Sequence, residues 1–388
     1  MAIRVLHLVY FLNHGGIENW LLDLCTAVDR SEIEIEIACR GVMGGVLEPQ
    51  FRELGIPIHF VPMRRSHASF GRQLAHLLRE GKFDLLHVHA GSFAGYPCRV
   101  AVRSGVGSVT TFHNTHFPFE VTGLASMLNR LRAMYTRRSF RTVCREGQAV
   151  IACSEAAKKA VVELSGVAAD DRYYVVPCGT GKSPGRSEEV RRAVREELGL
   201  SAETPVGIHV GIFKDQKNHA GLIRVADHVR RLLPEFQLLL VGQGPLRPDI
   251  ERQVEELNLG QTVRLLGSRN DVDRLLQAAD VLIFPSLWEG LPVAVTEAEM
   301  KGLPVVGSDI PPLHEATRVG ETSLLFPLDQ ERKMAEAVAD LLGDTKRREA
   351  MGRAATQLAM ERFSIQSNVI RHKEIYSQAL SRIRGQRR

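Results

Sequence analysis

Phe284-Pro-Ser-Leu-Trp-Glu-Gly-Leu-Pro-Val-Ala-Val-Thr296, followed directly by Glu297 and Ala298, decides how the rest of this chain is read. The apolar run Val281–Phe284 leads into it and reads as a buried parallel strand. Pro285, Ser286 and Gly290 end that strand. Pro292 suits the first turn of a helix, where its missing N–H costs nothing. Glu289 then stands at the carboxyl end of a strand, and Glu297 about two turns into the following helix. Two acids at this spacing mean little in a chain that has 45 of them; a strand-to-helix turn between them means more. The amides near Gly290, Leu291 and Val293 form an anion seat at the helix tip. A diphosphate seated there has one acid beside it and the other deeper, a layout that suits a nucleotide sugar.

At 388 residues the chain exceeds one hydrophobic core, so two domains are expected. A hydrophobic fraction of 44% with 24% charged residues places it among ordinary globular proteins. No apolar run approaches the roughly 18 residues of a membrane span. The start, IRVLHLVY, enters a strand without a secretory pattern, and the expected location is cytoplasmic. Cys25, Cys39, Cys98, Cys144, Cys153 and Cys178 have no ligand-like spacing and read as reduced, buried thiols. A net charge of +5 is too mild to point to nucleic acid, and none is expected as a partner. Arginines 130, 132, 137, 138, 141 and 145 interleave with Leu128, Leu131, Met134, Tyr135 and Phe140. That pattern fits a helix lying on an anionic membrane, and equally a solvated helix packing its apolar side on its own domain.

Short apolar strands alternate with helical stretches along the whole chain. The first set is 3–10, 33–38, 56–61, 83–89, 108–112, 149–152 and 174–176. The second is 206–210, 237–241, 263–266, 281–284, 304–306 and 324–326. Such alternation predicts an α/β protein of parallel sheets with right-handed crossovers. Residues 32–37 alternate Glu and Ile, which suits a strand with one exposed face. A Gly/Pro-rich break at 179–186 marks the hinge between a domain at 1–180 and another at 181–363, with a final helix at about 364–388.

Other strand ends carry candidate chemistry. After the strand ending at Gly211, Lys217 precedes a helix start near Asn218, where a cation can neutralise a leaving diphosphate. Gly242-Gln-Gly244-Pro245 lacks the third glycine of a dinucleotide fingerprint, so NAD binding is not expected. In Gly267-Ser268-Arg269-Asn270-Asp271-Val272-Asp273 the two acids imitate a metal-binding pair, but Asp271 reads better as a helix N-cap. In the first half, Gly15 and Gly16 permit close approach of backbone to a ligand after the first strand. His113 stands at a strand's carboxyl end, where sites in open sheets gather. His87 and His89 alternate along a strand, so one reads as a core histidine.

The Phe284–Thr296 stretch with Glu297 resembles the E-x7-E motif of retaining GT-B glycosyltransferases, specifically glycosyltransferase family 4 of the exopolysaccharide and capsule type. The resemblance covers nearly the whole chain and implies two Rossmann-like domains facing a central cleft, with the last helix returning to the N-terminal one. It implies that Glu289 contacts donor-sugar hydroxyls and Glu297 the ribose. By the same resemblance Gly290, Leu291, Gly211, Gly242, Ser268 and Arg269 are expected to line the rest of the donor site, Lys217 to face the diphosphate, His113 to lie near the reacting sugar, and Gly15-Gly16 to border phosphates and acceptor. Two departures stand out: Ile212 replaces an arginine usual in the family, and Cys178 replaces the asparagine of Pro-Asn-Gly.

The expected activity is transfer of a sugar from a nucleotide diphosphate sugar to an acceptor hydroxyl with retention, by a front-face route and with closure about the hinge. No cofactor and no essential metal are expected. Expected partners are the donor, a sugar or lipid-linked acceptor, and an anionic membrane met peripherally at its inner face. Two alternatives remain open: a degenerate binding subunit without turnover, and a nucleotide-sugar epimerase.

Overall fold

A computed structural model of the chain describes residues 2–63, 66–89, 91–116 and 125–386. All thirteen strand segments are strands, with ends displaced by at most two residues. The first seven are β1 (Ile3–Val9), β2 (Ile33–Cys39), β3 (Ile58–Phe60), β4 (Leu85–Val88), β5 (Gly107–Phe112), β6 (Ala149–Ala152) and β7 (Tyr173–Val175). They form one parallel sheet in the order β3-β2-β1-β4-β5-β6-β7. The remaining six are β8 (Val206–Val210), β9 (Gln237–Val241), β10 (Val263–Gly267), β11 (Val281–Phe284), β12 (Val305–Ser308) and β13 (Ser323–Phe326). They form a second parallel sheet in the order β10-β9-β8-β11-β12-β13. Each sheet is the core of a Rossmann-like unit, one comprising Met1–Gly181 and Ile365–Arg388, the other Lys182–Ser364.

Helices connect the strands, as parallel pairing requires. The central strands are therefore covered on both faces: every residue of β4, β5, β6, β11 and β12 is buried. β2 differs, burying Ile33, Ile35 and Ile37 while Glu34 stays exposed. Glu36 on the same face takes Arg4 at 2.9 Å and His59 at 2.6 Å. All six cysteines are buried and none is in a disulfide.

The helix Ile365–Gln386 belongs to the first unit. Its Asn368 amide nitrogen donates to the Pro177 carbonyl at 2.6 Å and its carboxamide oxygen accepts from Trp20 Nε1 at 2.9 Å. Ile375, Tyr376 and Ala379 are inside the core, while Lys373–Glu32 and Arg382–Asp171 ion pairs lie along its flank. The helix Ala125–Glu146 carries the six arginines. Of its five apolar residues named above, only Phe140 packs inward; Leu128, Leu131, Met134 and Tyr135 are exposed. Among the described residues no helix is long and apolar enough to cross a membrane.

In the second unit the helix Val293–Met300 buries Glu299 completely; its Oε1 accepts from Thr322 Oγ1 at 2.6 Å and Oε2 has no partner. Burial raises this carboxyl from 4.5 to about 8, against the pull of Thr322, Arg362 and Arg318. The folded state thus holds a proton that the unfolded chain releases, so the contribution of Glu299 to stability falls as pH rises from 4.5 to about 8. Glu299→Gln should raise the melting temperature, with a gain small at pH 5 and largest near pH 8; a gain independent of pH would contradict the assignment.

Candidate functional site

In an open parallel sheet the loops leaving the carboxyl ends of the strands diverge where the strand order reverses. In the second sheet that point lies between β8 and β11. The loop after β8 carries a single 3-10 turn, Asp215–Lys217, before Asn218 begins the helix His219–Leu232 in the left-handed region at φ 49°. Asn218 Oδ1 caps that helix through the Gly221 amide at 3.2 Å, and its Nδ2 donates to the Pro285 carbonyl at 3.1 Å. The loop after β11 is held alongside, with the Leu287 amide donating to the Gln216 carbonyl at 2.8 Å.

This stitching brings Lys217 and Glu289 together. Lys217 Nζ donates to Glu289 Oε1 at 2.6 Å, and Gln216 Nε2 donates to Oε2 at 3.1 Å and to the Trp288 carbonyl at 3.0 Å. The Lys217 ammonium also lies 4.7 Å from the Phe284 ring centroid, over its face. Glu289 is only 4% exposed, so an unpaired charge there would be costly, and the lysine offsets it. Gln216 was not singled out from sequence; its neighbour Lys217 is the one signal that points to it.

The helix beyond the turn starts later than the sequence suggests. Val293–Met300 starts one residue after Pro292, which is the N-cap with ψ 92° rather than a first-turn residue. The Pro292 carbonyl accepts from the amides of Val295 and Thr296, so Glu297 sits about one turn in, not two. Glu297 is 8% exposed, and Gly290 and Leu291 are buried between the two acids.

Gly211, Gly242 and Gly267 join the ends of β8, β9 and β10: the Gly211 amide donates to the Val241 carbonyl at 3.0 Å and the Gly242 amide to Gly267 at 2.8 Å. Gly242 has φ +145°, and a Cβ there would fall 1.9 Å from the Gly211 carbonyl oxygen, so no other residue fits. Ser268 is exposed next to this seam. The Arg269 guanidinium donates to Asp271 through Nε and Nη2 at 2.7 Å each, and Nη2 also donates to Glu197 at 3.2 Å. Asp271 does occupy the N-cap position, but its side chain makes no cap hydrogen bond because Arg269 and Arg274 take it. Asp273 pairs instead with Lys301 at 2.9 Å, so the two acids are spent on different cations. Ile212 is 42% exposed. Among cations near these strand ends, Lys214 is exposed, and Arg247 reaches Gln243 Oε1 at 3.2 Å and Glu251 at 2.7 Å.

In the first unit the sheet order reverses between β1 and β4. Gly15 is the extended N-cap of the helix Gly16–Ala27, and a Cβ on it would lie 2.5 Å from Glu18 Oε2. Burial raises the Glu18 carboxyl to about 7, while a hydrogen bond from its own backbone lowers it. His113 follows β5; its Nε2 is 3.0 Å from His89 Nδ1 and its Nδ1 is 3.7 Å from Cys178 Sγ. Both His87 and His89 are buried, not one of them. His7, invisible as a partner in sequence, lies opposite His87 in the β1–β4 register. Burial lowers all these imidazoles, His7 and His113 to about 3, so they are neutral at physiological pH.

Known proteins are similar to this chain in sequence and in fold. The family profile described as Glycosyltransferase Family 4 matches residues 14–181, and that described as Glycosyl transferases group 1 matches residues 190–358. EpsF of Bacillus subtilis, which carries the name of a glycosyltransferase, is 30% identical over 79% of this chain and 79% of its own length. A UDP-Gal:alpha-D-GlcNAc-diphosphoundecaprenol alpha-1,3-galactosyltransferase of Escherichia coli is 27% identical over 79% of this chain and 80% of its own. The structure of Anabaena HepE with UDP and glucose aligns with a TM-score of 0.82 at 19% identity, covering 97% of this chain and 99% of that one. The protein is a GT-B glycosyltransferase. It belongs to glycosyltransferase family 4, in group 1 of the glycosyl transferases.

Removing the lysine takes its countercharge from a buried carboxylate, whereas removing both charges leaves none to balance. Lys217→Met should lower stability in urea by about 2–3 kcal/mol, and Lys217→Met with Glu289→Gln by less than half of that. Equal losses in the two would mean that the pair carries no coupling.

Proposed function

We propose that this glycosyltransferase moves a sugar from a UDP- or GDP-sugar to an acceptor hydroxyl with retention of configuration, in the synthesis of a cell-surface polysaccharide. The observation that carries this reading is the Lys217–Glu289 pair at 2.6 Å, beside the helix that holds Glu297. In the proposal, the diphosphate draws Lys217 away from Glu289 and faces the amides that begin Val293–Met300. Glu289, freed, accepts donor-sugar hydroxyls, and Glu297 accepts the ribose hydroxyls. Gly290, Leu291, Gly211, Gly242, Ser268 and Arg269 line the nucleotide, Arg269 through its backbone because its guanidinium is taken. Lys217 and the helix dipole then stabilise the departing diphosphate, and the phosphate oxygen takes the acceptor proton. No metal or other cofactor enters this scheme. His113 and the Gly15-Gly16 turn serve the reacting sugar and the acceptor.

The names of similar proteins support two details. HepE structures contain UDP and UDP-glucose, which favours UDP here. The Escherichia coli relative's name specifies a diphosphoundecaprenol-linked acceptor, which favours a lipid-linked one. The exposed apolar and arginine side chains of Ala125–Glu146 suit an anionic membrane at the cytoplasmic face, where such an acceptor would lie.

Thermal stabilisation by UDP, GDP, ADP and their sugar conjugates tests the donor. One nucleotide should raise the melting temperature of the wild type and not of Glu297→Ala. Lys217→Ala should keep much of the binding but lower kcat roughly 100-fold or more. No shift with any nucleotide would favour a binding-incompetent donor site, with Ile212 as the cause. Separately, the protein should sediment with phosphatidylglycerol vesicles at low salt but not with phosphatidylcholine vesicles. Arg137→Glu with Arg138→Glu should weaken that binding, and sedimentation insensitive to lipid charge would sink the membrane reading.

A further inference from the structure

Six side chains in the first unit form one continuous hydrogen-bonded chain, of which the transfer scheme uses only His113. It runs from His113 Nε2 to His89 Nδ1 at 3.0 Å, and from His89 Nε2 to His7 Nδ1 at 2.9 Å. His7 Nε2 then meets the Tyr376 hydroxyl at 3.4 Å, which meets His87 Nδ1 at 2.7 Å, and His87 Nε2 meets Thr111 Oγ1 at 2.7 Å. Everything beyond His113 is buried.

His7, His87 and His89 lie close enough together to suggest a metal site, with one nitrogen from each within 4.8 Å of the others. The ring geometry argues otherwise. The His7 and His89 rings are 11° from parallel with centroids 5.2 Å apart, yet their nearest nitrogens are 2.9 Å apart, so the rings meet edge to edge. All six nitrogens of the three residues point at a neighbour in the chain, and none is left for an ion. A neutral imidazole has one donor and one acceptor, so in a chain of them the proton position on one ring dictates it on the next.

The direction is set at Tyr376. Its hydroxyl has one proton and touches two ring nitrogens, and the contact at 2.7 Å, not the one at 3.4 Å, has the length of a hydroxyl donor's bond. The phenol therefore donates to His87 Nδ1 and accepts from His7 Nε2–H. His7 Nδ1 is then an acceptor and receives the proton of His89 Nε2–H; His89 Nδ1 in turn receives that of His113 Nε2–H. What remains on His113 is Nδ1, an acceptor, on the partly exposed end of the chain.

We propose that Tyr376, His7 and His89 are positioning residues that hold His113 as its Nε2–H tautomer, so that Nδ1 presents a lone pair to a sugar hydroxyl. This rests on the reading that His113 faces the reacting sugar. Cys178 beside the same nitrogen leaves that lone pair available. Burial pushes the thiol up to about 12, so it stays protonated, and at 3.7 Å it is a weak competitor for Nδ1. An amide would hold that nitrogen more firmly. His372 flanks the chain without joining it, with Nδ1 on the Asn368 carbonyl at 2.9 Å, and is also neutral.

Long-range proton–nitrogen spectra of the full chain with labelled histidine read the tautomers directly. At pH 7, His113, His89, His7 and His87 should all carry the proton on Nε2. In Tyr376→Phe the His113 signals should shift toward a mixture of tautomers. Transfer should lose roughly tenfold in kcat/KM while stabilisation by UDP is unchanged. A proton on Nδ1 of His113 in the wild type overturns the proposal, and needs no variant to fold. So do His113 signals that are the same in Tyr376→Phe. If instead the tautomers behave as expected but His113→Ala transfers sugar normally, the chain stands and the sugar-facing reading of His113 falls.

Discussion

Everything placed at the candidate sites depends on one constraint: both sheets are entirely parallel. A parallel neighbour can be reached only by a crossover, and crossovers pack back on a twisted sheet with one hand. Every loop leaving a strand therefore emerges at the same edge. In the second unit this sends the loops after β8 and β11, adjacent in the sheet but far apart in sequence, to one place, where Lys217 and Glu289 meet. In the first unit it does the same for the turn after β1, His89 after β4 and His113 after β5. Glycine is required where those loops touch one another, as Gly242 does at the Gly211 carbonyl.

Polar groups at these edges are handled in two physically different ways. In the second unit charge is kept and compensated: Glu289 takes a lysine and an amide, Arg269 takes two acids, and Asp273 takes Lys301. Compensation of this kind is reversible, because a ligand that offers a phosphate and hydroxyls can exchange for the internal partners. In the first unit charge is removed. Desolvation keeps the histidines neutral, and a neutral imidazole can be satisfied by its neighbours alone. The first arrangement suits binding of an anion, and the second suits holding a proton in a fixed place.

Much of this was legible from residue order. Strands read from apolar runs and turns were all present, because a strand buried on both faces needs a continuous apolar run and little else does. The turn Phe284–Thr296 was legible for the same reason, its two prolines and its glycine being local signals. The helix start was misjudged by a residue, since Pro292 is as acceptable at an N-cap as in the first turn. Asp271 was placed correctly at a cap and given the wrong bond, because the neighbouring arginines offered it more than the backbone did.

Residue order by itself determined the class of fold, the position of each strand-end loop and which residue types stand there, since those follow from local apolar patterning and turn chemistry. Only the tertiary structure decided which side chains meet. Lys217 and Glu289 are paired by sheet order, and His7 and His87 by strand register. Tyr376 reaches His87 across 289 positions because the last helix packs on the first unit. Contacts of that span depend on where whole elements dock, and docking is settled by the summed burial of many residues rather than by any motif near the contact.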